Sequence, residues 1–142
     1  MEIMEKELSK SEWKVMKIVW SLKKAMAREV YSIAGNEQNW SPTTVKTLLK
    51  RLVEKGYLNT TQIGNGFVYR PTQSAIVSLR SAADTLLDNA VEGTTGPLIQ
   101  HMLESISLSE SDLHELQKLL DDKKRSLNSK TITKTNHCKG TR

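Results

Sequence analysis

The spacing of apolar residues changes twice along the chain. As far as residue 55, apolar residues recur every three or four positions, which is typical of amphipathic helices. Between residues 57 and 70 apolar and polar residues alternate, as they do in half-buried β-strands. From residue 72 the helical spacing returns. The pattern therefore predicts three helices, then a β-hairpin, then three further helices.

Three of the predicted helices begin at recognisable capping residues. Ser9 and Ser109 are each followed three residues later by an acidic residue, which is the arrangement of a capping box. Ser41 precedes Pro42, and proline is favoured at the first position of a helix. Gly35 and Asn36 are expected to end the second helix, and Gly93 the fourth. The six helices are predicted at residues 10–22, 27–35, 42–55, 72–92, 96–106 and 110–127.

The predicted hairpin has strands at residues 57–63 and 67–70, and Pro71 ends it. The intervening Gly64-Asn65-Gly66 fits a tight turn of type I′. Three short helices followed directly by a hairpin is the order of a winged helix-turn-helix, in which the hairpin is the wing. A three-helix bundle with a decorative hairpin is the alternative. The predicted fold class is mainly α with a small β-hairpin.

The last three helices carry more apolar surface than one small bundle can cover. Packing against a second copy of the chain would cover it, so we expect a winged helix-turn-helix domain at 1–71, a helical dimerisation domain at 72–127 and a disordered basic tail at 128–142. In the alternative, the fourth helix folds back on the first domain and the chain stays monomeric. The predicted dimer core consists of Leu98, Met102, Leu103, Leu113, Leu116 and Leu120.

Composition and charge narrow the class of protein. The 142 residues carry a net charge of +5, and the excess of Lys and Arg lies in the first half and in the last fifteen residues. A basic domain beside an acidic one favours nucleic acid as the partner, although an ordinary solvated surface is the alternative. No stretch approaches the ~18 apolar residues of a membrane span. With a single cysteine and no signal peptide, a cytoplasmic location is expected.

The third helix carries the strongest candidates for DNA contact. The side opposite its apolar stripe is rich in Thr and Lys, and its only acidic residue is Glu54 at the far end. A helix in the major groove contacts base edges with its N-terminal part and phosphates with its flanks. Lys23 and Lys24 are weaker candidates for phosphate contact. The predicted DNA-binding residues are Thr43, Thr44, Lys46, Thr47, Lys50 and Arg51, with Arg28, Asn65 and Arg70 around them.

Residues for catalysis or a bound metal are sparse. None of the three histidines, His101, His114 and His137, stands at metal-ligand spacing from another ligand, and the chain has neither a phosphate-binding loop nor a nucleophile elbow. We therefore predict that the protein is not an enzyme and has no resident cofactor. His137 and Cys138 are the only candidates for a metal site, with copper or zinc as an effector. An exposed thiol on a basic tail is the alternative.

Two segments resemble the BlaI/MecI/CopY family of repressors. These are Ser-Glu-Trp-Lys-Val-Met-Lys-Ile-Val-Trp at 11–20 and Trp-Ser-Pro-Thr-Thr-Val-Lys-Thr-Leu-Leu-Lys-Arg-Leu at 40–52. Ser-Ala-Ala-Asp at 81–84 and Leu-Ser at 108–109 are most similar to the copper-responsive CopY branch. The resemblance implies a homodimeric winged-helix repressor of transcription. Such repressors bind palindromic operators with TACA-type half-sites, and respond to copper or, through proteolysis, to β-lactams.

The two branches of the family respond to their inducers through different sequence motifs. The copper branch ends in a Cys-x-Cys-x4-Cys-x-Cys cluster, whereas this chain has Cys138 alone. The β-lactam branch is cleaved at an Asn-Phe bond, whereas the one phenylalanine here, Phe67, follows Gly66. The prediction is a repressor of a copper-homeostasis or related stress operon. The alternatives are a β-lactam-responsive repressor and a winged helix that binds other proteins.

Overall fold

The computed structural model describes residues 7–139, and side chains as far as residue 129. The chain divides between Ala90 and Val91 into two compact units. The first six elements and α4 belong to the first unit, and α5 and α6 to the second. The elements are α1 (Lys10–Leu22), β1 (Ala25–Met26), α2 (Ala27–Gln38), α3 (Pro42–Glu54), β2 (Leu58–Ile63), β3 (Gly66–Pro71), α4 (Ala75–Asp88), α5 (Thr95–Ser105) and α6 (Glu110–Lys139).

The predicted caps form as expected because each needs only residues close in sequence. The hydroxyl of Ser9 accepts a hydrogen bond from the backbone N–H of Glu12 at 3.2 Å, and the Glu12 carboxylate accepts one from the Ser9 N–H at 3.4 Å. Ser41 caps α3 in the same way, at 3.2 Å from the N–H of Thr44. The capping box of Ser109 is also present. These bonds satisfy N–H groups that the first turn of a helix leaves free.

Three helices end three or more residues from their predicted ends. α2 continues through Gly35 to Gln38, and Asn39 ends it with a left-handed φ of 59°. α4 ends at Asp88, before Gly93. α6 continues to Lys139, so residues 128–139 of the predicted disordered tail are helical, and residues 140–142 lie outside the described part. The physical reason is that neither glycine nor proline occurs within α6 to stop it.

The three strands form an antiparallel sheet in the order β1-β3-β2. β2 and β3 make the predicted wing, with Thr60 opposite Tyr69 and Gln62 opposite Phe67. Among the turn residues Gly64 alone has a positive φ, 61°, so the predicted type I′ turn is wrong, since that type needs two such residues. β1 was not predicted, because two residues are too few to show alternation. It pairs Ala25 with Tyr69 across the sheet.

The core of the first unit lies where α1, α2 and α3 meet the sheet. Its fully buried side chains include Met16 of α1, Val30 of α2, Leu49 of α3 and Leu58 of β2. The two tryptophans of α1 are half-buried, with ring centroids 5.9 Å apart. The indole N–H of Trp20 donates to the carbonyl of Gln73 at 3.1 Å. That bond ties α1 to the segment before α4.

The second unit leaves its apolar faces open to solvent. Leu98 and Leu116 are half-buried, and four further residues of the predicted dimer core are 40–53% exposed. Those four are Met102, Leu103, Leu113 and Leu120. α4 carries exposed apolar residues as well, although it belongs to the first unit. None of the described helices is both long and apolar enough to cross a membrane.

Candidate nucleic-acid interface

Packing of α3 against the core fixes which of its sides faces solvent. Val45, Leu48, Leu49 and Leu52 are buried, at most 5% exposed. Successive residues of an α-helix are turned by about 100°, so these four share one side. The opposite side is exposed and presents Thr43, Thr47, Lys50 and Glu54 in line, with Lys46 on one flank and Thr44 and Arg51 on the other.

The three threonines of this face differ in what their hydroxyl groups do. The Thr44 hydroxyl lies 3.0 Å from that of Ser41, and the Thr47 hydroxyl donates to the carbonyl of Thr43 at 2.9 Å. The hydroxyl hydrogen of Thr47 is therefore used within the helix, and its oxygen can still accept a hydrogen bond. The Thr43 side chain makes no hydrogen bond within the described residues. The face thus offers hydrogen-bonding groups and methyl groups together, as the major-groove edges of bases require.

The Lys46 flank of α3 faces the wing. Lys46 lines a cavity of about 510 Å³ with Phe67 and Tyr69 of β3, and Lys50 lines a neighbouring one of about 430 Å³ with the same two aromatic residues. Side chains alternate along a strand, so Phe67 and Tyr69 share the side of the wing that faces α3. The wing and α3 therefore form the two sides of one groove.

The structure brings together some of the predicted DNA-binding residues and separates others. Arg28 and Asn65 line the same cavity as Lys46. Arg70 lies on the other side of the wing, where its guanidinium donates to the Thr61 hydroxyl at 3.3 Å. Lys23 and Lys24 are exposed between α1 and β1 and do not line that cavity.

The cationic side chains of α3 are exposed and carry uncompensated charge. The ion pairs within residues 7–129 are Lys55 with Glu12 and Arg125 with Asp122. Lys46, Lys50 and Arg51 therefore have no anionic partner in the described part of the chain. A positive surface of this kind attracts a polyanion and releases the counterions of that polyanion on binding.

A buried ion pair holds the end of α3 against the start of α1. The Lys55 ammonium lies 2.8 Å from the Glu12 carboxylate, which is 4% exposed. Burial tends to raise the pKa of Glu12, but hydrogen bonds from Lys55 and Ser9 and the charge of Lys55 outweigh it and hold that pKa below its ordinary value. Burial and the nearby carboxylates of Glu12 and Glu7 raise the pKa of Tyr57, which follows Lys55 by two residues.

Phe67 and Tyr69 also line the groove between α3 and the wing, although no sequence pattern predicted this. An aromatic residue in an alternating strand is usually core, and nothing in the sequence shows that Phe67 stays 49% exposed. The one indication in the sequence was the position of Phe67 directly after Gly64-Asn65-Gly66. A residue so close to the tip of the wing lies far from the helical core.

The described residues contain no group of three or more metal-ligating side chains. His101 and His114 are exposed on α5 and α6. The side chains of His137 and Cys138, the predicted metal candidates, lie outside the described residues.

A helix-turn-helix whose exposed helix is lined by threonine and unpaired lysine, followed by a two-stranded wing, defines a winged-helix DNA-binding protein. The family model described as penicillinase repressor matches residues 8–122. The chain therefore belongs to the penicillinase repressor family, whose members are transcriptional repressors and not enzymes.

Relatives in several bacteria match over most of their length. The chain is 34% identical over 117 residues to an uncharacterised 16.5 kDa protein of Latilactobacillus sakei, covering 82% of this chain and 80% of that one. It is 30% identical over 118 residues to the penicillinase repressor of Bacillus licheniformis, covering 83% and 92%. It is 27% identical to the methicillin resistance regulatory protein MecI of Staphylococcus aureus strain N315, covering 82% and 95%.

Solved structures of repressors match about half of the chain. The DNA-binding domain of the repressor BlaI is 37% identical, with a TM-score of 0.46, covering 48% of this chain and 83% of that one. A CopR repressor structure is 45% identical, with a TM-score of 0.42, covering 49% and 100%.

Proposed function

We propose that the protein represses transcription as a homodimer on a palindromic operator, with α3 of each copy in the major groove of one half-site. The observation that carries this proposal is the exposed face of α3. Its cations have no anionic partner in the described chain, and its threonines lie at the N-terminal end, where a recognition helix contacts bases.

The position of each side chain along α3 determines which part of the DNA it would contact. The major groove is about 12 Å wide and admits one helix with its side chains. In that groove Thr43 and Thr47 approach base edges, while Lys50 and Arg51, further along the helix, reach the phosphates on either side. Lys46 and Arg28, beside the wing, contact the next stretch of backbone.

The exposed apolar faces of α5 and α6 support dimerisation. Met102 and Leu103 on one helix and Leu113 and Leu120 on the other are each 40–53% exposed in the single chain. Clustered exposure of this kind is costly in water, and an apolar surface on a second copy would cover it. A twofold dimer also matches the symmetry of a palindrome.

The regulated operon that we propose is one of copper homeostasis or a related stress response. The support is the similarity of residues 81–84 and 108–109 to the copper-responsive branch of the family. The relatives named for penicillin and methicillin resistance supply the competing assignment, a β-lactam signal.

Fluorescence anisotropy of labelled duplexes tests the DNA-binding part of the proposal. The full chain is expected to bind a palindrome of TACA-type half-sites at least a thousandfold more tightly than a shuffled duplex at ~150 mM salt. Both affinities should fall steeply as salt rises. Equal affinities that salt does not change would instead support the winged helix as a protein-binding module.

A promoter reporter tests the signal. In cells that carry the protein and its own upstream DNA in front of a reporter gene, added copper is expected to raise expression and penicillin to leave it unchanged. Induction by penicillin and not by copper would assign the protein to the β-lactam-responsive repressors.

A further inference from the structure

A cavity of about 510 Å³ lies between the start of α2, the Lys46 flank of α3 and the wing. We call it the α2–wing cavity. Its volume lies within the ~300–1,000 Å³ of pockets that hold small molecules. All of its lining residues belong to the first unit, so its shape does not depend on how the two units are arranged.

One part of the α2–wing cavity is cationic. Arg28 and Lys46 line it, and no acidic residue does. Neither side chain has an ion-pair partner between residues 7 and 129. Asn65 at the tip of the wing adds an amide to the same opening. These groups are complementary to an anion.

The remainder of the cavity is apolar and aromatic. Met26, Phe67 and Tyr69 line it, and Phe67 is 49% exposed although its strand is well formed. The Met26 methyl group packs so closely on Gly66 that a Cβ there would stand 2.6 Å from it. The strand backbone and Met26 therefore hold this surface in place, and a flat apolar body could stack on Phe67.

We propose that the α2–wing cavity binds a small organic anion with a flat apolar body, and that such a ligand releases the protein from DNA. The anionic group lies between Arg28 and Lys46, and the apolar body covers Phe67. The ligand would release the protein from DNA because Arg28, Lys46 and Asn65 are predicted to contact DNA. This part of the inference rests on the proposed function. The ligand and the phosphate backbone then compete for the same cations.

A phosphate group of DNA offers the same charge without the apolar body. A phosphate would pair with Arg28 and Lys46 but would leave the aromatic surface of Phe67 in water. Comparing inorganic phosphate with an organic anion therefore distinguishes a phosphate site from a site for an organic ligand. Only a ligand with an apolar body gains affinity from contact with Phe67 and Met26.

Calorimetric titration of the full chain without DNA tests the binding. The probe is naphthalene-2-carboxylate, compared with the neutral naphthalene-2-carboxamide and with inorganic phosphate. The carboxylate is expected to bind at least tenfold more tightly than either. Lys46→Gln should reduce its affinity to that of the amide, and Phe67→Ala should weaken it about tenfold. Two variants outside the cavity, Lys14→Gln and Ile63→Ala, should leave it unchanged.

Nuclear magnetic resonance locates the bound probe. The Met26 methyl and Gly66 amide signals are expected to shift on titration, and the signals of α5 and α6 to stay. Equal affinity for phosphate and carboxylate, equal loss in Ile63→Ala and Phe67→Ala, or shifts confined to α5 and α6 would each overturn the proposal.

Release from DNA is measured separately. Naphthalene-2-carboxylate added to the complex should weaken the apparent affinity for the palindrome, and the amide should not. A chain that binds the carboxylate but never binds DNA would contradict the proposed function and leave the cavity assignment standing. A chain that binds DNA but not the carboxylate would contradict the cavity assignment alone.

Discussion

The ion pair between Glu12 and Lys55 joins two residues that are far apart in sequence. It connects the start of α1 to the end of α3. The Glu12 carboxylate takes part in two interactions at once, the capping box of α1 and the ion pair with Lys55. The Lys55 ammonium also donates to the carbonyl of Glu7 at 2.9 Å. Because a buried charge without its partner is costly, this contact should matter more than a surface ion pair.

Glu12→Gln is expected to lower the free energy of unfolding at pH 7 by about 2 kcal/mol, because a hydrogen-bonded charge pair becomes a neutral contact. Urea denaturation followed by tryptophan fluorescence measures this, since Trp13, Trp20 and Trp40 all lie in the first unit. Glu37→Gln, at an exposed carboxylate, is the control and should change the free energy little. Equal effects of the two substitutions would contradict the structural role of the pair.

The same pair predicts a pH dependence. The pKa of Glu12 is lower in the folded chain than its ordinary value of 4.5, so the ionised form stabilises the fold. That contribution is complete above pH 4.5 and is lost as the pH falls through the lower folded pKa. The gap in stability between the parent and Glu12→Gln should therefore be constant from pH 7 to about 5 and shrink below that. A gap that widens on acidification would contradict it.

Thr47 is the residue whose substitution should change sequence preference most. Its hydroxyl hydrogen is already donated to the Thr43 carbonyl, so we predict that its methyl group makes the contact with a base edge. Thr47→Ser keeps the hydroxyl and loses the methyl, and Thr47→Val keeps the methyl. Anisotropy with single-base variants of the palindrome should show that Thr47→Ser relaxes discrimination at one position by ~1–3 kcal/mol. Thr47→Val should keep it; the opposite order would show that the hydroxyl contacts the base.

At the scale of elements, α3 and the wing border the same groove. Lys46 and Lys50 face the wing, whereas Arg51 lies on the other flank of α3. One helix can therefore reach both strands of backbone that border the major groove. Arg70 lies on the opposite side of the wing, where its guanidinium donates to the Thr61 hydroxyl, so it does not face the same groove as Lys46.

Lys50→Ala and Arg51→Ala should each weaken binding to the palindrome and to the shuffled duplex alike. Each should also lower the slope of log affinity against log salt by about one, as the loss of one phosphate contact requires. Lys118→Ala, an exposed lysine of α6, is the matched control and should leave the slope unchanged. Should the double variant Lys50→Ala/Arg51→Ala bind as tightly as the parent at ~150 mM salt, α3 is not the recognition helix.

The helices and strands also show which parts of the fold can be predicted from the sequence. The starts of α1, α3 and α6 were predictable because Ser9, Ser41 and Ser109 act on N–H groups within three residues. β1 was not, because Ala25 becomes a strand only by pairing with Tyr69, far along the chain. The exposed side of α3 followed from its period, whereas the Phe67 surface and the contact of Glu12 with Lys55 depend on tertiary packing that no local pattern encodes.

At the scale of the molecule, the two units differ in how much of their apolar surface is buried in the single chain. The apolar residues of α5 and α6 stay exposed, and the compact core lies entirely in the first unit. In the structure the first unit includes α4 and ends at Ala90. The functional boundary predicted after residue 71 stays a prediction.

Met102→Asp/Leu103→Asp in the full chain is expected to give a monomer by sedimentation, because two charges cannot be buried between copies. The parent should sediment as a dimer. His101→Asp, on the same helix, is the control and should stay dimeric, because His101 is exposed and lies outside the predicted dimer core. A parent protein that is monomeric at micromolar concentration would contradict the proposed dimer and would indicate a repressor that binds DNA as a single copy.

The spacing of the two half-sites tests the central claim most directly. Two copies of α3 held by one dimer must enter the major groove on the same side of the DNA, about one helical turn apart or a multiple of it. Anisotropy titrations compare the palindrome with duplexes that carry five or ten extra base pairs at its centre. We predict that five extra base pairs reduce the affinity to that of a single half-site, because half a turn places the second half-site on the opposite side. Equal affinity for the parent palindrome and the five-base-pair insertion would contradict the account.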